Sequence, residues 1–352
     1  MIARHIRSMN GYIHGEQPKA TRVIKLNTNE NPYPPSPRCA KVLRDFDVAM
    51  LRRYPDSACD NLRAALAKMN KTAPERVFVG NGSDEILSLA ARCFVENDES
   101  IGSLDPSYSL YKALAAIRDV PWLGLPDPAE AVRRGRGATA PSVFLWTNPN
   151  APTGTLAEPA EIAKFAAKFR GVVIIDEAYV DFASKNCMSL ATAKGNRNII
   201  VMRTFSKSYS LAGLRVGYCV GPESLIAAMY KIKDSYNVDS IAQAVALAAV
   251  RDQRWMKANA ARVRRTRRRF TQELEKRGWD VVPSEANFVF ARPPAKGRGG
   301  AAAAAKSIFE GLRAKNIFIR YFPGPLTGER LRITIGTDEE MDILLAALDA
   351  VG

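Results

Sequence analysis

From about residue 77 to residue 220, short aliphatic runs alternate with stretches of helical periodicity. This alternation restricts the chain to a mostly parallel sheet covered by helices on both faces. Val172-Val173-Ile174-Ile175 is the clearest run. Four consecutive aliphatic residues suit a strand buried on both faces, since a strand with one wet face would alternate. Comparable runs are Val77-Phe78-Val79, Val143-Phe144-Leu145-Trp146 and Ile199-Ile200-Val201-Met202, and residues 101–104 read as a further strand. All five end in or beside words rich in polar residues, glycine or proline. The carboxyl ends of parallel strands face the ligand crevice, so the pattern predicts one site assembled from several strand ends. At 352 residues the chain is long for a single core, and two domains are expected.

The word after the last of these runs is Thr204-Phe205-Ser206-Lys207-Ser208-Tyr209, followed by a Ser/Gly-rich loop that carries Arg215. A lysine amine attacks an aldehyde only when it is held near the carbonyl and kept partly unprotonated. Hydroxyls and an arginine around one lysine make a place for an aldehyde that bears a phosphate. The segment resembles the lysine signature of the fold type I enzymes that use pyridoxal 5'-phosphate (PLP), in particular the class I/II aminotransferases. That resemblance implies an α/β fold, with a large domain built on a mostly parallel central sheet and a smaller α+β domain.

The resemblance assigns partners to the lysine. Asp176, at the end of the Val172 run, would pair with the pyridine nitrogen and keep it protonated, which makes the ring an electron sink. Tyr179 and Asn148 would meet the ring's phenolic oxygen. Asn148 opens the turn Asn148-Pro149-Asn150-Ala151-Pro152-Thr153-Gly154, where the usual pattern has Asn at the place of Ala151, a departure expected to lie outside the cofactor contact. Gly82, Ser83 and Asp84, between a short strand and a helix, form a candidate phosphate cradle. By itself that turn is equally well a strand-to-helix connection without a ligand. Ser206 and Arg215 would complete the phosphate site, and Tyr108 would stack on the ring.

Composition narrows the field. Only His5 and His14 are present, so histidine metal sites and histidine-based triads have little material, and no metal is expected. The missing third glycine argues against a dinucleotide fingerprint. Cys39, Cys59, Cys93, Cys187 and Cys219 are odd in number and form no Cys-x-x-Cys word, as expected of structural thiols in a reducing cytosol. No signal-peptide core or apolar run of membrane length is evident, and a cytoplasmic protein without membrane contact is expected. The net charge of +15 comes densely from Arg262, Arg264, Arg265, Arg267, Arg268 and Arg269. They lie in a helical pattern with apolar Met256, Ala260, Val263, Phe270 and Leu274, and Arg267 interrupts the apolar stripe. We read a solvated basic face rather than a polyanion contact, and no nucleic-acid partner.

Residues 288–291, 317–321 and 331–335 read as strands, 301–314 as a helix after a flexible linker at 293–300, and a final helix starts with acids after Thr337. Arg320 and Arg332 interrupt two of these strands. A guanidinium buried there needs an anion, either an internal carboxylate or a ligand. The words Asn29-Glu30-Asn31-Pro32-Tyr33 and Arg53-Tyr54-Pro55-Asp56 resemble the histidinol-phosphate aminotransferases over essentially the whole chain, with Pro34 where glycine is usual. That likeness implies residues 1–35 as an arm shared with the small domain, 36–246 as the PLP-binding domain and 247–352 as the small domain. It implies a homodimer in which Tyr54 reaches the partner's cofactor phosphate, and a substrate site that includes Tyr12, Asn31, Arg320 and Arg332. The implied reaction is ping-pong transamination of histidinol phosphate and imidazole acetol phosphate with glutamate and 2-oxoglutarate, in histidine biosynthesis. Lys207 would carry the cofactor and move the proton. An aromatic aminotransferase, and less readily a threonine-phosphate decarboxylase, are the alternatives.

Overall fold

The computed structural model describes residues 1–20, 22–134, 139–294 and 300–351. In chain order its strands are β1 (Ile24–Lys25), β2 (Val77–Gly80), β3 (Ser100–Leu104), β4 (Trp122–Leu125), β5 (Pro141–Thr147), β6 (Val172–Asp176), β7 (Ile199–Thr204), β8 (Gly217–Val220), β9 (Asp280–Val282), β10 (Phe288–Arg292), β11 (Ile317–Phe318), β12 (Arg320–Tyr321) and β13 (Leu331–Thr334). Seven of them form the large sheet in the order β2-β8-β7-β6-β5-β3-β4. The uninterrupted aliphatic strand β6 lies at its centre. Val173 and Ile175 pack into one core and Ile174 into the other, each fully buried, which is why this strand cannot alternate with polar residues.

Strands β3 to β7 run parallel, while β8 is antiparallel to both β2 and β7. The chain returns from β7 to β8 through residues 205–216 without a crossover helix long enough to reverse it, so an antiparallel neighbour is the natural outcome. The aliphatic pattern foresaw neither β8 nor β4. The first is glycine-led and short, and the second is a half-buried edge strand with a central glycine. Register places Thr147 opposite Asp176 and Asp176 opposite Met202, so the polar strand ends line up along one edge.

A second sheet, β12-β13-β10-β9, is antiparallel. Strand β1 pairs with β11, and Leu26 ties the two sets together: its amide donates to Phe318 O (2.7 Å) and its carbonyl accepts from the Thr334 amide (3.0 Å). The start of the chain is thereby woven into its last third. The expected single strand over 317–321 is divided at the buried Ile319, because β11 pairs with β1 and β12 with β13. The expected linker at 293–300 falls largely outside the described residues.

The helix Gln253–Lys276 explains the arginine run. Its apolar stripe is buried, and Arg267 within it is buried too, donating through one terminal nitrogen to Ala286 O (2.6 Å) and Phe182 O (3.4 Å). Arg265 and Arg269 meet Asp338, Arg269 also meets Asp342, Arg264 donates to Asp181 O, and Arg262 lies 4.1 Å over the Tyr33 ring. Much of the basic face is spent on the final helix Asp338–Val351, on Asp181 and on Tyr33. Arg267→Ala, which strips two buried carbonyls of their donor, should lower the unfolding free energy by about 2 kcal/mol in denaturant titration. The exposed Arg268→Ala should stay within about 0.5 kcal/mol of the parent.

Candidate active site

The strand ends and the second sheet enclose a cavity of about 740 Å³. Lys207 enters it just past β7. The turn is set by the Ser206 amide donating to Thr204 Oγ1 (3.1 Å), and Asn31 Nδ2 holds the lysine's own carbonyl (3.2 Å) and that of Ser208 (3.1 Å). Lys207 Nζ donates to Thr28 O at 2.9 Å and sits 5.8 Å from the Tyr179 ring centre. Burial, helped by the nearby Arg332 cation, lowers its pKa to about 8, so a useful fraction is a free amine near neutral pH. Asp176 is buried at the end of β6. Burial pushes its carboxyl up to about 6, against the Tyr111 phenol and the Ala178 amide, which favour the charged form. A carboxylate and an amine of perturbed acidity in one cavity are the parts of a proton-handling site.

At one end of the cavity lie Ser83, Asp84, Ser206 and Arg215. Arg215 donates to Asp84 Oδ2 (3.2 Å) and Ser206 Oγ (3.4 Å). Gly82, with φ +78°, starts the helix Gly82–Cys93, and a Cβ there would lie 2.6 Å from the Arg215 guanidinium. A Cβ on Gly217 would lie 2.7 Å from the Ser83 amide, so β8 can touch this helix start only through glycine. Asn81 makes no side-chain cap, which leaves first-turn amides beside a hydroxyl and a guanidinium. This cluster fits a phosphate.

The opposite side combines Tyr12, Arg320, Phe322 and Arg332. Arg332 lies 5.4 Å from the Phe288 ring centre and 5.2 Å from that of Phe322, donates one hydrogen bond to Asn27 O (2.8 Å), and has a buried Nε without a partner. Arg320 donates to the Ile13 and His14 carbonyls (3.1 and 3.2 Å). Among the described residues neither arginine has a carboxylate partner, although a buried guanidinium calls for an anion. Tyr12 meets the Tyr108 ring edge-on at 5.9 Å, so the amino-terminal segment closes over the cavity.

Not every expected residue reaches the cavity. Asn148 does not: its side chain accepts from the Ala157 amide (2.8 Å) and donates to Ala157 O (3.1 Å) and Cys187 Sγ (3.7 Å), bracing the turn from behind. The same turn brings Ala151 to the wall instead, so the departure at 151 lies in the cavity after all. Asn31 lies behind Lys207 and not on the cavity wall. Tyr54 is 80% exposed, stacked 4.4 Å from Tyr236 and outside this cavity. Other residues were missed. Asn29, held in the left-handed region at φ 56°, donates to the Tyr179 hydroxyl (3.0 Å), which frees the tyrosine's own proton to point into the cavity. Tyr111 reaches Asp176 Oδ2 (3.0 Å), and the fully buried Glu177 pairs with Arg203 (2.8 Å) directly behind Asp176. Their only sequence signal was proximity to words already singled out.

The sequence model of aminotransferase class I and II matches residues 21–348, and the chain belongs to this family. The histidinol-phosphate aminotransferase 1 of Nostoc sp. is 41% identical over 351 residues, covering 98% of this chain and 96% of that one. The histidinol-phosphate aminotransferase of Geobacter sulfurreducens is likewise 41% identical, covering 99% of this chain and 98% of its own length. Among solved structures, the histidinol-phosphate aminotransferase of Sinorhizobium meliloti in complex with pyridoxal-5'-phosphate superposes with a TM-score of 0.90 at 26% identity, over 99% of this chain and 97% of that one. The fold is the type I fold of these transferases.

The lowered pKa of Lys207 has a direct consequence. The cofactor-free chain should capture pyridoxal phosphate at a rate that rises with pH through about 8, because burial releases the amine below the ordinary lysine range. Borohydride reduction and peptide mapping should then find the pyridoxyl group on Lys207. A label on another lysine would reassign the site.

Proposed function

We propose that the chain binds pyridoxal phosphate and transfers the amino group between histidinol phosphate and 2-oxoglutarate, or in reverse between glutamate and imidazole acetol phosphate, as a cytoplasmic enzyme of histidine biosynthesis. The observation that carries this reading is the buried Arg332 with Nε unbonded, in the same cavity as Lys207 and a second arginine that has only carbonyl partners. A phosphomonoester supplies the acceptors such groups need. The names of the relatives at 41% identity support the same substrate.

Bound pyridoxal phosphate supplies an electron sink for the negative charge that develops on the substrate carbon. The chain supplies the rest. Ser206, Arg215 and the Gly82–Asp84 turn suit the cofactor phosphate, Tyr108 the ring face, Tyr179 the ring oxygen and Asp176 the ring nitrogen. Arg320 and Arg332 hold the substrate's anionic group, a phosphate in one half-reaction and a glutamate carboxylate in the other. Lys207 Nζ, whose pKa lies near neutrality, would move the proton between the substrate carbon and the cofactor carbon. The amino-terminal segment around Tyr12 shields that transfer from water.

The site is completed in a homodimer on this reading. Tyr54 stands among the exposed Leu43, Val48, Met50 and Leu51, an apolar surface suited to cover by a second copy. From there Tyr54 of one protomer would reach the partner's cofactor phosphate. Mixing Lys207→Ala subunits with Tyr54→Phe subunits should regenerate activity, because exchange creates one intact site per mixed dimer. No gain after verified exchange would mean that each subunit completes its own site.

The aromatic lining of Tyr12, Tyr108 and Phe322 is the feature that favours the second reading, an aromatic amino-acid aminotransferase. Steady-state kinetics against 2-oxoglutarate separates the two. Histidinol phosphate should exceed histidinol and phenylalanine in kcat/KM by roughly a hundredfold or more, since a pocket built for a charged group rejects analogues that leave it unpaired. Equal or better turnover of phenylalanine would replace the substrate while leaving the cofactor chemistry intact.

A further inference from the structure

Three hydroxyls run in single file behind Asp176. Tyr111 Oη lies 3.0 Å from Asp176 Oδ2 and 2.6 Å from Thr147 Oγ1, Thr147 Oγ1 lies 3.2 Å from Ser107 Oγ, and Ser107 Oγ lies 2.9 Å from Asn150 Oδ1. Tyr111 and Thr147 are almost wholly buried, at 0% and 2% exposure, so water cannot substitute along most of the row. The far end is fixed. Asn150 Nδ2 donates to Pro106 O (3.0 Å), which can only accept, and to Thr153 Oγ1 (3.0 Å), so the atom facing Ser107 is the amide oxygen. Both ends of the row are therefore acceptors when Asp176 is ionised.

Counting protons then constrains the row. Four contacts are available, and three hydroxyls supply three protons. With Asp176 charged, the strongest arrangement has Tyr111 donate to the carboxylate and Thr147 to Tyr111, because a charge-assisted bond is favoured. Ser107 then donates either to Asn150 Oδ1 or to Thr147, and the other of those two contacts stays open. When Asp176 Oδ2 carries a proton, all four contacts close in the opposite direction, from Asp176 to Tyr111 to Thr147 to Ser107 to Asn150. No proton travels along the row; each hydroxyl keeps its own and rotates.

We propose that Tyr111, Thr147 and Ser107 form a reversible hydroxyl relay whose direction follows the charge on Asp176, with Tyr111 as the positioning residue that aims the carboxylate at the cofactor ring. This rests on Asp176 facing the ring nitrogen. In either charge state the Oδ2 side of Asp176 keeps a hydrogen bond to Tyr111. Burial opposes charge on Asp176, and Tyr111, the Ala178 amide and the Lys207 cation favour it, while Asp84 opposes it. Ser107 lines the cavity beside Tyr108, so the state of Asp176 is also presented three contacts away, at the cavity wall.

The row makes a prediction of sign that a purely structural role does not. Removing the Tyr111 hydroxyl costs the ionised state one charge-assisted bond and the protonated state two neutral ones, which nearly balance. Removing the Ser107 hydroxyl costs the ionised state one bond and the protonated state two, and so favours ionised Asp176. The full chain freed of cofactor and labelled with 13C at aspartate carboxyls allows Asp176 to be titrated directly, its signal identified by loss in Asp176→Asn. Ser107→Ala should move the Asp176 midpoint down by about half a pH unit, the size of one hydrogen bond, while Tyr111→Phe should move it less. Thr147→Val, which leaves Tyr111 in place, should also move it down and serves if Ser107→Ala folds poorly. No shift or an upward shift in Ser107→Ala and Thr147→Val would overturn the relay. Such a failure would leave the pairing of Asp176 with the ring untouched, because the titration is made without cofactor.

Discussion

Burying a carboxylate and an amine in one cavity is the constraint around which this molecule is built. Either charge alone would be expelled or neutralised in so dry a place. Asp176 is tolerated because the Ala178 amide and the Tyr111 phenol bond it, and Lys207 because Thr28 O accepts from it at 2.9 Å. The residual cost appears as the raised acid and the lowered base. Those shifts bring both groups toward neutral pH, where proton transfer is most effective.

The same requirement couples the two sheets. Lys207 belongs to the large sheet, yet its acceptor Thr28 follows β1, which is paired with β11 and bonded to β13 through Leu26. Asn29 bridges Thr334 and the Tyr179 hydroxyl, and Asn287 Nδ2 donates to Asn29 O (3.0 Å). Arg332, next to Thr334 by two residues on β13, brings its charge to the lysine from the second sheet. The side of the cavity that carries the two arginines is therefore a property of how the chain start is clamped between β11 and β13, and not of one loop.

Much of this was legible because burial on both faces forces aliphatic runs and because parallel strands end on one edge. The strands β2, β3, β5, β6 and β7, and the words after them, follow from those two facts. Strands β4 and β8 escaped because half-buried and glycine-led strands carry no aliphatic run. The turn 148–154 shows a different limit: two asparagines and three small residues offer no local cue to which position faces the cavity, and only the hydrogen bonds of Asn148 with Ala157 settle it. Arg267 broke the apolar stripe for a reason invisible in the helix itself, since its acceptors come from Phe182 and Ala286. Asn29 and Tyr111 act through other side chains, and sequence spacing does not reveal such indirect contacts.

The central claim is that Asp176 acts on developing charge in the ring and not merely as an anchor. Replacing it with asparagine keeps size and shape but removes the charge that, on this account, would hold the ring nitrogen protonated. Asp176→Asn should retain bound pyridoxal phosphate while kcat falls by roughly two to four powers of ten, read from single-turnover kinetics normalised to bound cofactor. Loss of cofactor with an unchanged rate per occupied site would contradict the account.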